Sequence, residues 1–308
     1  CQYCVESRYR GLVALGHPII GENPWFADRN ALQHFFFLHN TFMRSWALVT
    51  GGGVRLGREI CLAFAKAGWN VACHYNHSES AALSVCDEVR AMGVDAFAVQ
   101  GALDDESSCH QIFDTVVAKT AQRLHCIVNN ASLFVPDTGD KFDEAQAIAQ
   151  IKVNLMAPMY FGKWLTELHR EPTTKAISAG HAKPSLVHVL DQKVFNLNPD
   201  YFTYTLSKLA LERAVSLQAQ SLAPAVRVNA VSPGLMYLSG PQSQENFDRA
   251  AKVNLLQQAI NPADVAKSVV FLAESASTTG TTLRIDNGQH LVPLARDVMF
   301  AVEDLLKP

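Results

Sequence analysis

Residues 45–68 read SWALVTGGGVRLGREICLAFAKAG, and their reading decides the fold. The first six hold the apolar run Trp46–Val49 and end on the β-branched pair Val49 and Thr50, which suits a buried strand. Gly51, Gly52 and Gly53 then permit a tight turn and close backbone approach. From Arg58 onward the apolar residues fall at helical spacing. A strand, a glycine turn and a helix in this order leave free N–H groups and the positive end of a dipole at the helix start, where an anion such as a pyrophosphate binds. Gly51, Arg55, Leu56 and Gly57 are the turn positions expected to meet a nucleotide cofactor. Arg55 can reach a phosphate or an anionic edge of the substrate. A solvated arginine on the first helical turn is the alternative.

Outward from this unit the same rhythm repeats. NVACHY (70–75), DAFAVQ (95–100), LHCIVNN (124–130), SLVHVL (185–190), VRVNAV (226–231) and TTLRI (281–285) read as strands. Helical patterns lie between them, over SESAALSVCDEVRAMG, which closes on Gly93, then near 105–123, 144–169 and 200–222. Strands alternating with helices require right-handed crossovers and a parallel sheet covered on both faces. The expected fold is therefore α/β, a doubly wound parallel sheet in a single domain.

The bulk numbers narrow the class. The chain has 308 residues, 48% of them hydrophobic, and a formal charge of −3. Its pI of about 6.4 gives no basic footprint for nucleic acid. No apolar run reaches the roughly 18 residues that a membrane span needs. Seven cysteines at irregular spacing suggest reduced thiols in a cytoplasmic protein, not a disulfide framework. Cys1 and Cys4 form a lone CxxC with no second ligand pair nearby, so no metal is expected.

The second strand ends in HYNHS (74–78), with no Asp or Glu at the place where an unmodified ribose is usually read. His74, His77 and Ser78 can instead donate to a 2′-phosphate, which favours NADP(H) over NAD(H). Two ordinary surface histidines are the alternative. Further on, YTLSK places Tyr204 and Lys208 four apart, on one helical face. A tyrosine near pKa 10 is a poor acid at neutral pH. An adjacent ammonium is expected to lower that value and make Tyr204 a competent proton donor. Lys208 could also hold the cofactor ribose.

With TGGGVRLG, NNAS (129–132), KVN (152–154), YTLSK, VNAVSPG (228–234) and TGTTLRIDNG (279–288), the chain resembles the short-chain dehydrogenases/reductases over residues 45–292. The resemblance implies a Rossmann-type sheet and a homodimer or homotetramer acting on a small molecule. It implies that Asn130 and Ala131 line the cofactor, that Asn154 holds a water of the proton relay, and that Pro233 and Gly234 flank the nicotinamide.

One position departs from most of that family. Asp191 stands thirteen residues before Tyr204, where a serine is usual. Here the chain resembles the pteridine reductases, the subgroup that includes dihydromonapterin reductases. That subgroup combines this aspartate with an arginine in the glycine turn (Arg55), an aromatic after NNAS (Phe134), and HY-x-x-S after the second strand. The resemblance implies that Phe134 stacks on a pterin and that Ser132 contacts cofactor or substrate. Asp191, Tyr204, Lys208 and Asn154 are then the catalytic group, with Arg55 also placed to bind substrate. A carboxyl can relay a proton to a ring nitrogen and accept hydrogen bonds from ring N–H groups. Two other readings stay open: a carbonyl or alcohol oxidoreductase, and a non-catalytic NADP(H) sensor. Asp191 could also simply cap a turn.

Some features lie outside the pattern. Ala102 stands where the family usually has an Asp for adenine, and residues 171–185 are longer than most. Residues 1–42 differ in character from the rest and read as an appended N-terminal extension, a docking arm being the alternative, so a reductase domain is expected over 43–293, beginning near Met43. A helical tail is expected over 294–308. Its Leu294, Val298, Val302 and Leu305 repeat at helical spacing for core packing or a subunit contact.

Overall fold

A computed structural model of the protein describes residues 44–170, 182–239 and 242–304. The 1–42 segment with Cys1 and Cys4, most of the 171–185 stretch and Leu305 lie outside the described residues. Everything below concerns the unit Ser45–Pro308.

Seven strands were found among the described residues, all parallel and ordered β3-β2-β1-β4-β5-β6-β7. They are β1 (Trp46–Val49), β2 (Asn70–Tyr75), β3 (Ala96–Gln100), β4 (Leu124–Asn129), β5 (Ser185–Val189), β6 (Arg227–Pro233) and β7 (Thr282–Ile285). The helices are α1 (Arg55–Lys66), α2 (Glu79–Ala91), α3 (Glu106–Lys119), α4 (Glu144–Ile151), α5 (Ala157–Arg170), α6 (Phe202–Leu222), α7 (Gln244–Ala250), α8 (Pro262–Glu274) and α9 (Val298–Asp304). A π-helical turn, Lys152–Met156, joins α4 to α5. This is the doubly wound sheet expected from the alternation. No helix among the described residues is long and apolar enough to cross a membrane.

The two faces of the sheet bury separate cores. On β1, Ala47 and Val49 join the layer of α1, α2 and α8, while Trp46 and Leu48 join that of α3 and α5. Period-two alternation with apolar residues on both sides is what a central parallel strand requires. Phe64 of α1 and Phe161 of α5 are fully buried on opposite faces. Each such side chain contributes roughly 1.5–3 kcal/mol by leaving water.

The strand order reverses between β1 and β4, which pair with each other and carry β2 and β5 on their outer sides. In open α/β sheets a ligand crevice opens at such a reversal, beyond the carboxyl ends of the strands. Here those ends are Thr50–Gly51 and Asn130–Ala131. Among the described residues of the tail Val298–Asp304 is helical, and Val298 and Val302 pack on Ala250 of α7 with Leu294 beside them.

Candidate active site

The crevice is a cleft of about 450 Å³, lined by the glycine turn, the end of β4, the 189–193 stretch, α6 and the tail. A second pocket of about 260 Å³ adjoins it through Gly51, Val54, Ala131 and Ser132.

Local geometry explains the glycines. Gly51 has φ +62°, a left-handed conformation that favours glycine. A Cβ on Gly57 would lie 2.1 Å from the Gly51 carbonyl oxygen, so α1 can start only with glycine there. Arg55 also has a positive φ, +49°, and is exposed on the cleft. Left-handed non-glycine residues cost free energy and cluster at functional sites. Tyr201, at φ +54°, is a second one in the same cleft.

The turn is braced from two sides. Thr50 Oγ1 accepts hydrogen bonds from the N–H groups of Asn130 (2.9 Å) and Ala131 (3.0 Å). The Asn130 amide donates to the Thr50 carbonyl at 2.8 Å. On the other side His74 Nδ1 accepts from Gly51 N–H at 3.1 Å, and Nε2 lies 3.0 Å from the Gly101 carbonyl oxygen. Both ring nitrogens are therefore used inside the protein, and burial pushes this imidazole down to about 4. The expectation that His74 donates to a phosphate is corrected: it shapes the turn as a neutral ring. His77 and Ser78 are exposed on the second pocket, and the Ser78 hydroxyl makes no capping bond to α2. Leu103, next to Ala102, lines the same pocket.

On α6, Tyr204, Ser207 and Lys208 share one buried face. Asp191 follows β5, and its Oδ1 accepts from Lys193 N–H at 2.9 Å. Tyr204 Oη donates to Asp191 Oδ2 at 3.0 Å. The structure thus brings the two together in the cleft, although Asp191 also caps the short 3₁₀ turn Gln192–Val194. Burial raises the Asp191 carboxyl, and burial with the Asp191 charge holds the Tyr204 phenol well above its usual value of 10. Lys208 Nζ donates to the Val189 carbonyl at 2.8 Å, and desolvation lowers it to about 8. The expected depression of the Tyr204 pKa by Lys208 is thus corrected. The phenol is held protonated by burial first and by the neighbouring Asp191 carboxylate second.

Asn154 sits in the π-helical turn, a feature often found at functional sites. Its Oδ1 accepts from Ser132 Oγ (3.0 Å) and Leu133 N–H (2.8 Å), and its Nδ2 donates to the Leu133 carbonyl (2.9 Å) and Ser207 Oγ (3.0 Å). All four side-chain bonds of an amide are used. The side chain thus ties the 132–134 loop to α6. Phe134, 39% exposed, stacks on Tyr201 (centroids 4.0 Å apart) and meets Tyr204 edge-on (4.6 Å), forming an aromatic wall of the cleft.

Several cleft residues carried no signal in the sequence reading. Thr50 and Asp137 are braces; Asp137 Oδ1 accepts from Thr203 N–H at 3.1 Å and so caps α6. Gln192, Lys193, Tyr201 and Asp297 line the cleft. Pro233 ends β6, and a Cβ on Gly234 would lie 2.4 Å from Gln289 Oε1, so the backbone passes close there. Among the described residues no cluster of His, Cys, Asp or Glu could hold a metal ion.

Residues 53–290 match the family model described as enoyl-(acyl carrier protein) reductase, a short-chain dehydrogenase model. The chain belongs to the short-chain dehydrogenase/reductase family. It is similar to the crystal structure of the FolM alternative dihydrofolate reductase 1 from Brucella canis complexed with NADP. The two are 32% identical, with a TM-score of 0.70 over 82% of this chain and 96% of that one. The dihydromonapterin reductase of Enterobacter sp. is 26% identical, covering 79% of this chain and 96% of its own length. The 3-oxoacyl-[acyl-carrier-protein] reductase FabG of Staphylococcus aureus is 27% identical, covering 81% and 99%. Membership of this family makes the chain a nicotinamide-dependent oxidoreductase.

Proposed function

We propose that this short-chain reductase uses NADPH to reduce a C=N bond of a dihydropterin, one related to dihydromonapterin or dihydrofolate. The observation that carries the reading is the 3.0 Å hydrogen bond between Tyr204 Oη and Asp191 Oδ2 at the centre of the cleft. The cleft fits the cofactor: left-handed Gly51, the close approach at Gly57 and the uncapped start of α1 leave backbone room and free N–H groups for a pyrophosphate. His77 and Ser78 border the adjoining pocket and would hold the 2′-phosphate. Asn130, Ala131, Pro233 and Gly234 would flank the rest. When bound, NADPH supplies the hydride.

The remaining task is a proton. Reducing C=N adds hydride to carbon and a proton to nitrogen. The phenol of Tyr204 is kept protonated, and the raised Asp191 carboxyl can take up a proton and pass it on. A carboxylate also stabilises a protonated C=N, which accepts hydride more readily. It would repel the alkoxide that forms when a ketone is reduced. Phe134 offers an aromatic surface to a flat ring, and Arg55 a cation at its edge. Lys208, held against Val189, would orient the ribose. The similarity to FabG favours a second reading, carbonyl reduction with Asp191 protonated.

NADPH oxidation should be followed with dihydropterins, dihydrofolate and simple ketones, for the wild type and Tyr204→Phe. Dihydropterins should be turned over best. Tyr204→Phe should cut their turnover by roughly 10²–10⁴-fold while NADPH still binds. Ketone reduction alone, or activity that survives the Phe substitution, would refute the proposal.

A further inference from the structure

Beyond Asp191 the cleft has a wall that neither proton delivery nor cofactor binding uses. Gln192 lines the cleft, is 8% exposed, and has a buried Oε1 with no hydrogen-bond partner among the described residues. Buried acceptors are nearly always satisfied, so an orphan on a ligand cleft points to a donor on the ligand.

Asp297 stands in the same wall and lies past residue 290, where the family match ends. It is held rigidly. Asp297 Oδ2 accepts from Lys193 Nζ at 2.9 Å, Oδ1 accepts from Met299 N–H at 3.1 Å, and its own N–H donates to Asp200 Oδ2 at 2.7 Å. Arg296 grips Asp200 through Nε and Nη2 at 2.8–3.0 Å, which fastens the tail to the start of α6. Lys193 is 2% exposed and also donates to Asn198 Oδ1 at 2.7 Å, so its charge is engaged within the wall. Gln192 Oε1 and the Asp297 carboxylate are therefore hydrogen-bond acceptors in this wall, suited to a ligand donor and not to a ligand carboxylate. Of the cleft's other cations, Arg55 starts α1 at the glycine turn, and Lys208 donates to the Val189 carbonyl within electrostatic reach of Asp191.

The glycine turn, Asn130 and Ala131 form the cofactor end of the cleft, and the Asp191–Tyr204 pair marks the reacting nitrogen. Gln192 follows Asp191 in the chain and Asp297 lines the same cleft, so both are available to what the substrate carries beyond that nitrogen. We propose that these two residues form a specificity wall that accepts hydrogen bonds from a neutral, hydroxyl-bearing side chain of the substrate and disfavours a carboxylate-bearing one. The inference rests on the pterin reading for the ring, and it selects polyhydroxyalkyl dihydropterins over folate-like ones.

The test is equilibrium binding to the enzyme–NADPH complex of two 2,4-diaminopteridines that differ only at C6, one with a hydroxyalkyl group and one with a benzoylglutamate. Wild type should bind the neutral probe about tenfold more tightly, as expected for hydrogen bonds to buried or charged acceptors. Gln192→Met and Asp297→Asn should each bring the ratio toward unity; melting temperature and NADPH binding report whether the variants are folded. Equal or tighter binding of the carboxylate probe, a ratio unmoved by both variants, or no binding of either probe would overturn the wall. Dihydropterin turnover by the same wild-type sample decides the proposed function separately.

Discussion

At Tyr204 and Asp191 a phenol donates one hydrogen bond to a carboxylate in the cleft, and burial raises the proton affinity of both. The thirteen-residue spacing and the i, i+4 step to Lys208 are local, so these three were legible in the sequence. The direction of the Tyr204 shift was not. It depends on burial and on the Asp191 charge, which only folding brings to the phenol. Asp297 was out of reach for the same reason, since 104 positions separate it from its partner Lys193. His74 and His188 make a further point at this scale. Both are buried and pushed down to about 4. Between pH 4 and the ordinary value of 6.5 the unfolded chain binds protons that the folded one refuses, so stability rises with pH across that window. Each residue should therefore remove up to about 3 kcal/mol on acidification from 6.5 to 4. Denaturant unfolding at several pH values checks this, and His74→Asn should flatten the slope; a pH-independent unfolding energy would contradict the assignment.

Among the elements, the π-helical turn Lys152–Met156 does most to assemble the site. It interrupts what reads in sequence as one continuous helix near 144–169, because the 3.6-residue apolar period carries no mark of an inserted residue. The interruption places Asn154 between the 132–134 loop and α6. Asn154→Ala would remove the acceptor of Ser132 Oγ and Leu133 N–H and the donor to Ser207 Oγ, which keeps its own bond to the Tyr204 carbonyl, at a cost of about 1–3 kcal/mol. A lower melting temperature is expected, together with weaker pterin turnover as Phe134 loses its anchor. An unchanged melting temperature would show that the clamp is dispensable. The tail behaves as an element too. Its helical period was readable at Val298 and Val302, but what those residues cover, α7 and the rim of the cleft, was not.

For the molecule as a whole, alternating strand and helix signals made the doubly wound sheet readable from end to end, since each βαβ unit obeys the same handedness and period. The position of the cleft followed too, because it lies where the strand order reverses between β1 and β4. What the alternation could not reveal is that Asp297, Val298 and Met299 of the tail line the cleft. The central claim is that the Asp191 carboxyl suits the cleft to a ring nitrogen in place of a ketone oxygen. Its most direct test is the ratio of kcat/KM for a dihydropterin to that for a small ketone, in wild type and in Asp191→Ser. Wild type should strongly favour the dihydropterin. The serine variant should lose roughly 10²-fold or more on it while holding or gaining on the ketone. An unchanged ratio, or a wild type that prefers the ketone, would contradict the account.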